Sequence, residues 1–181
     1  MVETKPNILK GETCPSCGKK TLTLMEYQTE IPFFGLAYLF NLDCENEECN
    51  YHMADIEFEK SLGPIRVDFE ISKEEDLKIR VVKSGSATIK LPRIMTIEPG
   101  PVSNGYITNI EGILNRVKKM LEKTRDDSED KSARKKAKNQ LKKIQNVMWG
   151  TDKITLTIED PNGNSAIISQ DAIVKKLPKK K

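Results

Sequence analysis

Four cysteines are the residues in this chain with the clearest capacity for chemistry, and they fall as two close pairs within the first 49 positions. Cys14-Pro-Ser-Cys17-Gly is a C-x2-C turn followed by glycine, and Cys44 and Cys49 form a C-x4-C pair within CENEEC. A tight turn of the first kind aims two thiolates and several backbone amides at one point, and glycine relieves the crowded backbone there. The 26 residues between the pairs are enough for two strands and a connection that bring the turns together. Four thiolates complete a tetrahedral Zn²⁺ site with no open position, so Cys14, Cys17, Cys44 and Cys49 predict one structural zinc ion rather than a catalytic one. A redox role for Cys14 and Cys17 lacks a βαβ context and would leave the second pair idle. His52, the sole histidine, lies three residues beyond Cys49. It reads as a side chain on the strand leaving the turn, because the thiolates already fill the site.

The elements that must position these cysteines are strands. TLTL (Thr21 to Leu24) and DIEF (Asp55 to Phe58) alternate, and IRVDFEI sets Ile65, Val67, Phe69 and Ile71 on one face. LKIRVV extends the pattern through Leu77, Ile79 and Val81, and after an SGSA turn it resumes at Ala87, Ile89 and Leu91. Period-two alternation of this kind marks half-buried strands. EPGP (Glu98 to Pro101) ends the run, since proline removes a backbone donor.

The period then changes. Thr108 and Glu111 have the spacing of a capping box, and Ile110, Ile113, Leu114, Val117 and Leu121 follow at helical intervals. RDDSED interrupts, its acids suit the start of a second helix, and Ala133, Ala137, Leu141, Ile144 and Met148 line one face up to Gly150. Strand signals return in ITLTI (Ile154, Leu156, Ile158), DPNGN is a turn with Gly163 free to take positive φ, and SAIIS closes the pattern. A mainly β, α+β chain with an inserted helical hairpin follows from this order. Sandwich, barrel and jelly-roll arrangements all accommodate it.

Composition bounds the function. Charged residues make up 31% and hydrophobic residues 37% of the 181 positions, the profile of a soluble globular protein. No apolar run approaches a membrane span, and MVETKPNILKGET lacks the apolar stretch of a signal peptide, so cytoplasm is the expected location. Thiols stay reduced there, which favours metal ligation over disulfides. Residues 1–108 carry 12 basic and 17 acidic side chains, whereas residues 109–150 carry 12 and 6. Asp43 to Glu59 holds seven acids and no Lys or Arg, which argues against a phosphate backbone at that edge. The hairpin's outer face, SARKKAKNQLKK, and the final KKLPKKK are basic; solvated charge is the ordinary reading of both. No P-loop, G-x-S-x-G or H-E-x-x-H pattern occurs, so an enzyme is not expected.

CPSCG, then IPFF (Ile31, Pro32, Phe33, Phe34), then a strand into the second cysteine pair with Tyr51 beyond it, resembles the zinc finger of the ZPR family. TNIEGIL (Thr108 to Leu114) resembles that family's T-T-V-E-G segment and EDPNGNS (Glu159 to Ser165) its D-D-P-x-G-N-S segment. The resemblance spans roughly residues 12 to 170. It departs in the wider second cysteine pair, in Asn109 where the family has threonine, and in PGPVSNGY.

The resemblance implies a zinc ribbon over residues 1–60, then a double-stranded β-helix, jelly-roll-like domain over 61–175 with the helical hairpin at about 109–149, and a basic tail at 176–181. It is similar to the archaeal single-module form, whereas eukaryotic members hold two modules. It further implies a protein partner, a translation elongation GTPase whose folding the family assists. IPFF is then expected either to buttress the finger against the β domain or to meet the partner. The alternative is a nucleic-acid- or ribosome-binding protein that uses the basic hairpin.

Overall fold

The computed structural model describes residues 5–31, 34–101 and 103–177. The N-terminal part is one antiparallel sheet of four strands in chain order: β1 (Asn7–Glu12), β2 (Leu22–Ile31), β3 (Gly35–Cys44) and β4 (His52–Phe58). β2 and β3 pair over their full length, from Leu22 opposite Cys44 to Ile31 opposite Gly35. Ten residues at about 3.3 Å each separate the two ends of this hairpin by roughly 30 Å. The cysteines therefore sit at one end and Ile31 and Phe34 at the other.

The remaining strands form two further sheets. β5 (Ile65–Ile71), β7 (Thr88–Leu91), β8 (Met95–Ile97), β10 (Ile154–Asp160) and β12 (Ile173–Lys176) are ordered β12-β5-β10-β7-β8, while β11 (Ala166–Ile167), β6 (Arg80–Lys83) and β9 (Tyr106–Asn109) form β11-β6-β9. The alternation read from sequence faces the core as expected: Val67, Phe69 and Ile71, Ile89 and Leu91, and Leu156 and Ile158 are all buried in one cluster. Two helices, α1 (Ile110–Asp127) and α2 (Lys131–Met148), close this core with Ile110, Ile113, Leu114, Val117 and Leu121 from α1, and Ile144 and Val147 from α2. Mostly β with two helices, the architecture is the jelly-roll-bearing α+β class expected.

Local details differ from the sequence reading in three places. Leu77 is buried, but on a 3-10 turn (Glu74–Lys78) instead of a strand, because the Asp76 carboxylate accepts from the Ser72 and Lys73 amides and curls the chain there. Helix α1 is capped by Asn109, whose side chain accepts from the Gly112 amide, and Thr108 remains in β9. Asparagine is as good an N-cap as threonine, so the residue that departs from the family segment still performs the capping. Finally, β12 runs to Lys176, which the sequence reading placed in the basic tail; residues 178–181 of that tail lie outside the described residues.

The DPNGNS turn holds the two parts together. The Asn162 carbonyl accepts from the Ser61 hydroxyl (2.8 Å) and the amides of Leu62 (2.9 Å) and Gly63 (3.2 Å), all in the segment joining β4 to β5. Gly163 has φ +76°, and a Cβ there would stand 2.1 Å from the Gly63 carbonyl oxygen. Both the left-handed backbone and the backbone-to-backbone approach exclude a side chain. Gly163→Ala is expected to destabilise the fold by about 2 kcal/mol or more in urea unfolding. Gly100→Ala, with open space around it, should be nearly neutral.

Candidate metal centre and the opposite end of the ribbon

Each cysteine pair is set by its own turn. In the first, the Cys14 amide donates to the Lys19 carbonyl and the Gly18 amide returns to the Cys14 carbonyl, both at 2.9 Å, with Gly18 at φ +70°. In the second, the Cys49 amide donates to the Asn46 carbonyl (2.8 Å) and Asn50 takes φ +49°, so the two extra residues of CENEEC are absorbed in a closed turn. The Glu45 amide bonds the Thr21 carbonyl (2.8 Å), which draws the two turns side by side.

All four Sγ atoms lie within 4.8 Å of one another. Cys14 and Cys49 are 3.8 Å apart, as are Cys17 and Cys44. A tetrahedron with Zn–S bonds of about 2.3 Å has edges of about 3.8 Å, so the donor set fits zinc in both element and size. The thiols are tuned unequally. Burial pushes Cys14 up to about 11. The Lys19 backbone N–H brings Cys17 down to about 6, and the Thr21 hydroxyl, 3.2 Å from Cys44 Sγ, lowers Cys44. Deprotonation is therefore eased at Cys17 and Cys44, and a bound cation would supply the drive to deprotonate the buried Cys14. His52 is exposed, and its Nδ1 pairs with Asp43, so the histidine stands outside the donor set.

At the far end of the hairpin, Phe34 is only 6% exposed and packs against Phe58 with ring centroids 5.2 Å apart. Ile31 joins Leu39 and Phe58 around Ala37, Ile56 and Val82, and Val82 belongs to β6. Ile31 and Phe34 thus buttress the ribbon against the jelly roll; Pro32 and Phe33 lie outside the described residues. Docking is tight beside this cluster: Asp55 accepts from the Gly105 amide at 2.7 Å, and a Cβ on Gly105 would meet Ile56 at 2.6 Å.

Phe34 also forms one wall of an apolar groove of about 550 Å³, completed by Leu62, Val67, Ala166, Ile168 and Val174. Leu62, Ile168 and Val174 are exposed, as is neighbouring Ile173. Sequence reading missed these residues, which are distant in the chain and carry no pattern in common.

The ribbon has a thin core of its own, whereas the helices belong to the jelly-roll core. Chelator treatment of the purified protein is expected to remove β signal from the far-UV circular dichroism while helical signal persists, and zinc should restore it. An unchanged spectrum after metal removal would show that the four thiols do not hold the ribbon.

A family model described as the ZPR1 jelly-roll domain matches residues 75–179. An uncharacterized ZPR1-like protein of Pyrococcus horikoshii is 38% identical over 171 residues, covering 92% of this chain and 76% of that protein. One of Methanocaldococcus jannaschii is 36% identical, covering 87% and 79%. The zinc finger chaperone zpr1 of Schizosaccharomyces pombe is 30% identical over 164 residues, 85% of this chain but 33% of that protein. With the cysteine cluster, the jelly roll and these relatives in agreement, this chain belongs to the ZPR1 family.

Proposed function

We propose that this chain is a non-catalytic, cytoplasmic protein-binding module, held in shape by one Zn²⁺ on Cys14, Cys17, Cys44 and Cys49, that assists a translation elongation GTPase. The observation that carries this reading is the apolar groove between ribbon and jelly roll. Contiguous exposed apolar surface is costly to leave in water and marks sites of protein contact. Its walls come from both parts of the molecule, from Phe34 at the ribbon's tip and from Leu62, Ile168 and Val174 beyond it. Zinc, by ordering the ribbon, keeps this composite surface assembled.

The partner's chemistry follows from the surroundings. An apolar segment would fill the groove. Basic residues beside that segment would meet the acidic edge of the ribbon, where Glu57 and Glu59 are exposed at the end of β4 next to Phe58. Such charge complementarity accelerates encounter and sets orientation. The fission-yeast relative is described as a zinc finger chaperone, which supports a role in handling another protein. The elongation GTPase is the partner implied by the family resemblance.

Metal analysis of protein never exposed to chelator is expected to return one zinc per chain, and a content near zero would refute the site. Native pull-down with and without nuclease, read by mass spectrometry, is expected to recover a translation GTPase in both arms. Leu62→Glu with Val174→Glu, on exposed positions, should reduce that recovery at least tenfold, on the order of the loss of a buried apolar anchor. Loss of every partner on nuclease treatment would sink the protein-binding reading.

A further inference from the structure

Helix α2 carries seven lysines and arginines and no carboxylate in 18 residues. Among the described residues, none of these cations forms an ion pair, although Lys138 lies in the field of the exposed Asp126 of α1. Its apolar side is already committed, with Ala137, Ile144 and Val147 buried against the core. It therefore has no apolar face left to lay into a lipid surface.

The cations are arranged. At about 100° per residue, Lys131, Lys135, Lys138 and Lys142 fall within roughly 40° of one line along the solvent face. All four are exposed. Trp149, the C-cap, keeps a nearly helical backbone with φ −89° and ψ 5°. It is five turns on from Lys131, which puts it on the same line about 27 Å away. It is 61% exposed, and it is the sole tryptophan of the chain.

Beside this stripe a groove of about 420 Å³ separates α2 from the turn between β7 and β8, with Arg93, Ser132, Lys135, Lys136, Asn139 and Lys143 around it. The groove is fixed in shape. Gln140 Nε2 donates to the carbonyl oxygens of Arg93 (3.2 Å) and Ile94 (2.6 Å), which pins the turn to the helix. Arg93 itself takes φ +63° and lines the groove together with the cations of α2. Both walls thus carry positive charge, and neither carries an acid.

We propose that α2 and the Arg93 turn form a binding surface for single-stranded nucleic acid, with phosphates along the lysine stripe and groove and a base stacked on Trp149. A cationic track with an aromatic in line with it is what a single strand needs, since the phosphates are read by charge and the bases by their faces. An acidic protein would use the cations and leave the indole without a role. The acidic stretch Asp43 to Glu59 is carried by the ribbon, and α2 has no carboxylate within it; the acids beside it are its N-cap Asp130 and Asp126 of α1, near Lys138.

Trp149 is the reporter as well as the ligand. The full-length protein would be titrated with oligouridylate while its tryptophan fluorescence is followed. Saturable quenching is expected, with affinity falling roughly twentyfold to fiftyfold between about 50 and about 200 mM salt if three or four phosphates are neutralised. Oligothymidylate should behave comparably, because backbone charge and base faces are common to both. With labelled oligonucleotide and anisotropy as the readout, Trp149→Ala should bind at least about fivefold more weakly. Lys135→Glu with Lys142→Glu should bind at least about tenfold more weakly. All three positions are exposed, so circular dichroism should be unchanged. No quenching at the lower salt overturns the proposal. So does affinity unchanged in the lysine variant. Binding that is unaffected by Trp149→Ala and displaced equally well by polyglutamate identifies a surface for acidic protein and also overturns it.

Discussion

The carboxylate of Asp160 is fully buried at the end of β10, and five hydrogen bonds converge on it. Three come from the hydroxyls of Ser84, Ser86 and Ser165, and two from the amides of Asn162 and Asn164. An unsolvated carboxylate is tolerated only when its acceptor capacity is filled, so this cluster is all-or-none. Its donors come from the turn between β6 and β7 and from the DPNGNS loop, so one anion fixes both. Lys83, itself buried, lies in its field; burial lowers the Lys83 ammonium pKa and Asp160 partly offsets that.

The consequences reach the ribbon. Once Asp160 has shaped the loop, Asn162 presents its carbonyl to Ser61, Leu62 and Gly63, and Gly163 lies against Gly63 with no room for a side chain. The connection between the two parts is thereby held where Phe34 can pack on Phe58 and Ile56 can pack on Gly105 and Val82. The motif that looked like a generic turn is the clasp between the ribbon and the jelly roll. Zinc at one end of the ribbon and this clasp near the other restrain a sheet too thin to carry itself.

The two surfaces proposed for partners have opposite character. The groove beside Phe34 is apolar, built from segments far apart in the chain, and bordered by ribbon acids. The α2 face is cationic, built from one helix and one turn, and its shape depends on the Gln140 contacts. The two proposed surfaces therefore select partners by different physics, one by apolar burial and the other by charge.

The sequence by itself determined the candidate metal donors, the alternation of the strands, the hydrophobic face of α1 and the insertion of the hairpin. These are local properties: thiols at close spacing, period-two or helical patterning, and turn residues with one compatible backbone conformation. It also marked DPNGNS as a turn and as a family segment, without its role between the two parts. Only the tertiary structure decided that Asn109 caps α1 in place of Thr108, and that Leu77 lies on a 3-10 turn held by Asp76, because competing side-chain acceptors a residue or two apart look alike in sequence. It alone gathered Leu62, Ile168 and Val174 beside Phe34, set Arg93 across from α2, and brought three serine hydroxyls to Asp160. Those assemblies join residues as far apart in the chain as Phe34 and Val174, and no periodicity in a linear chain encodes a meeting of that kind.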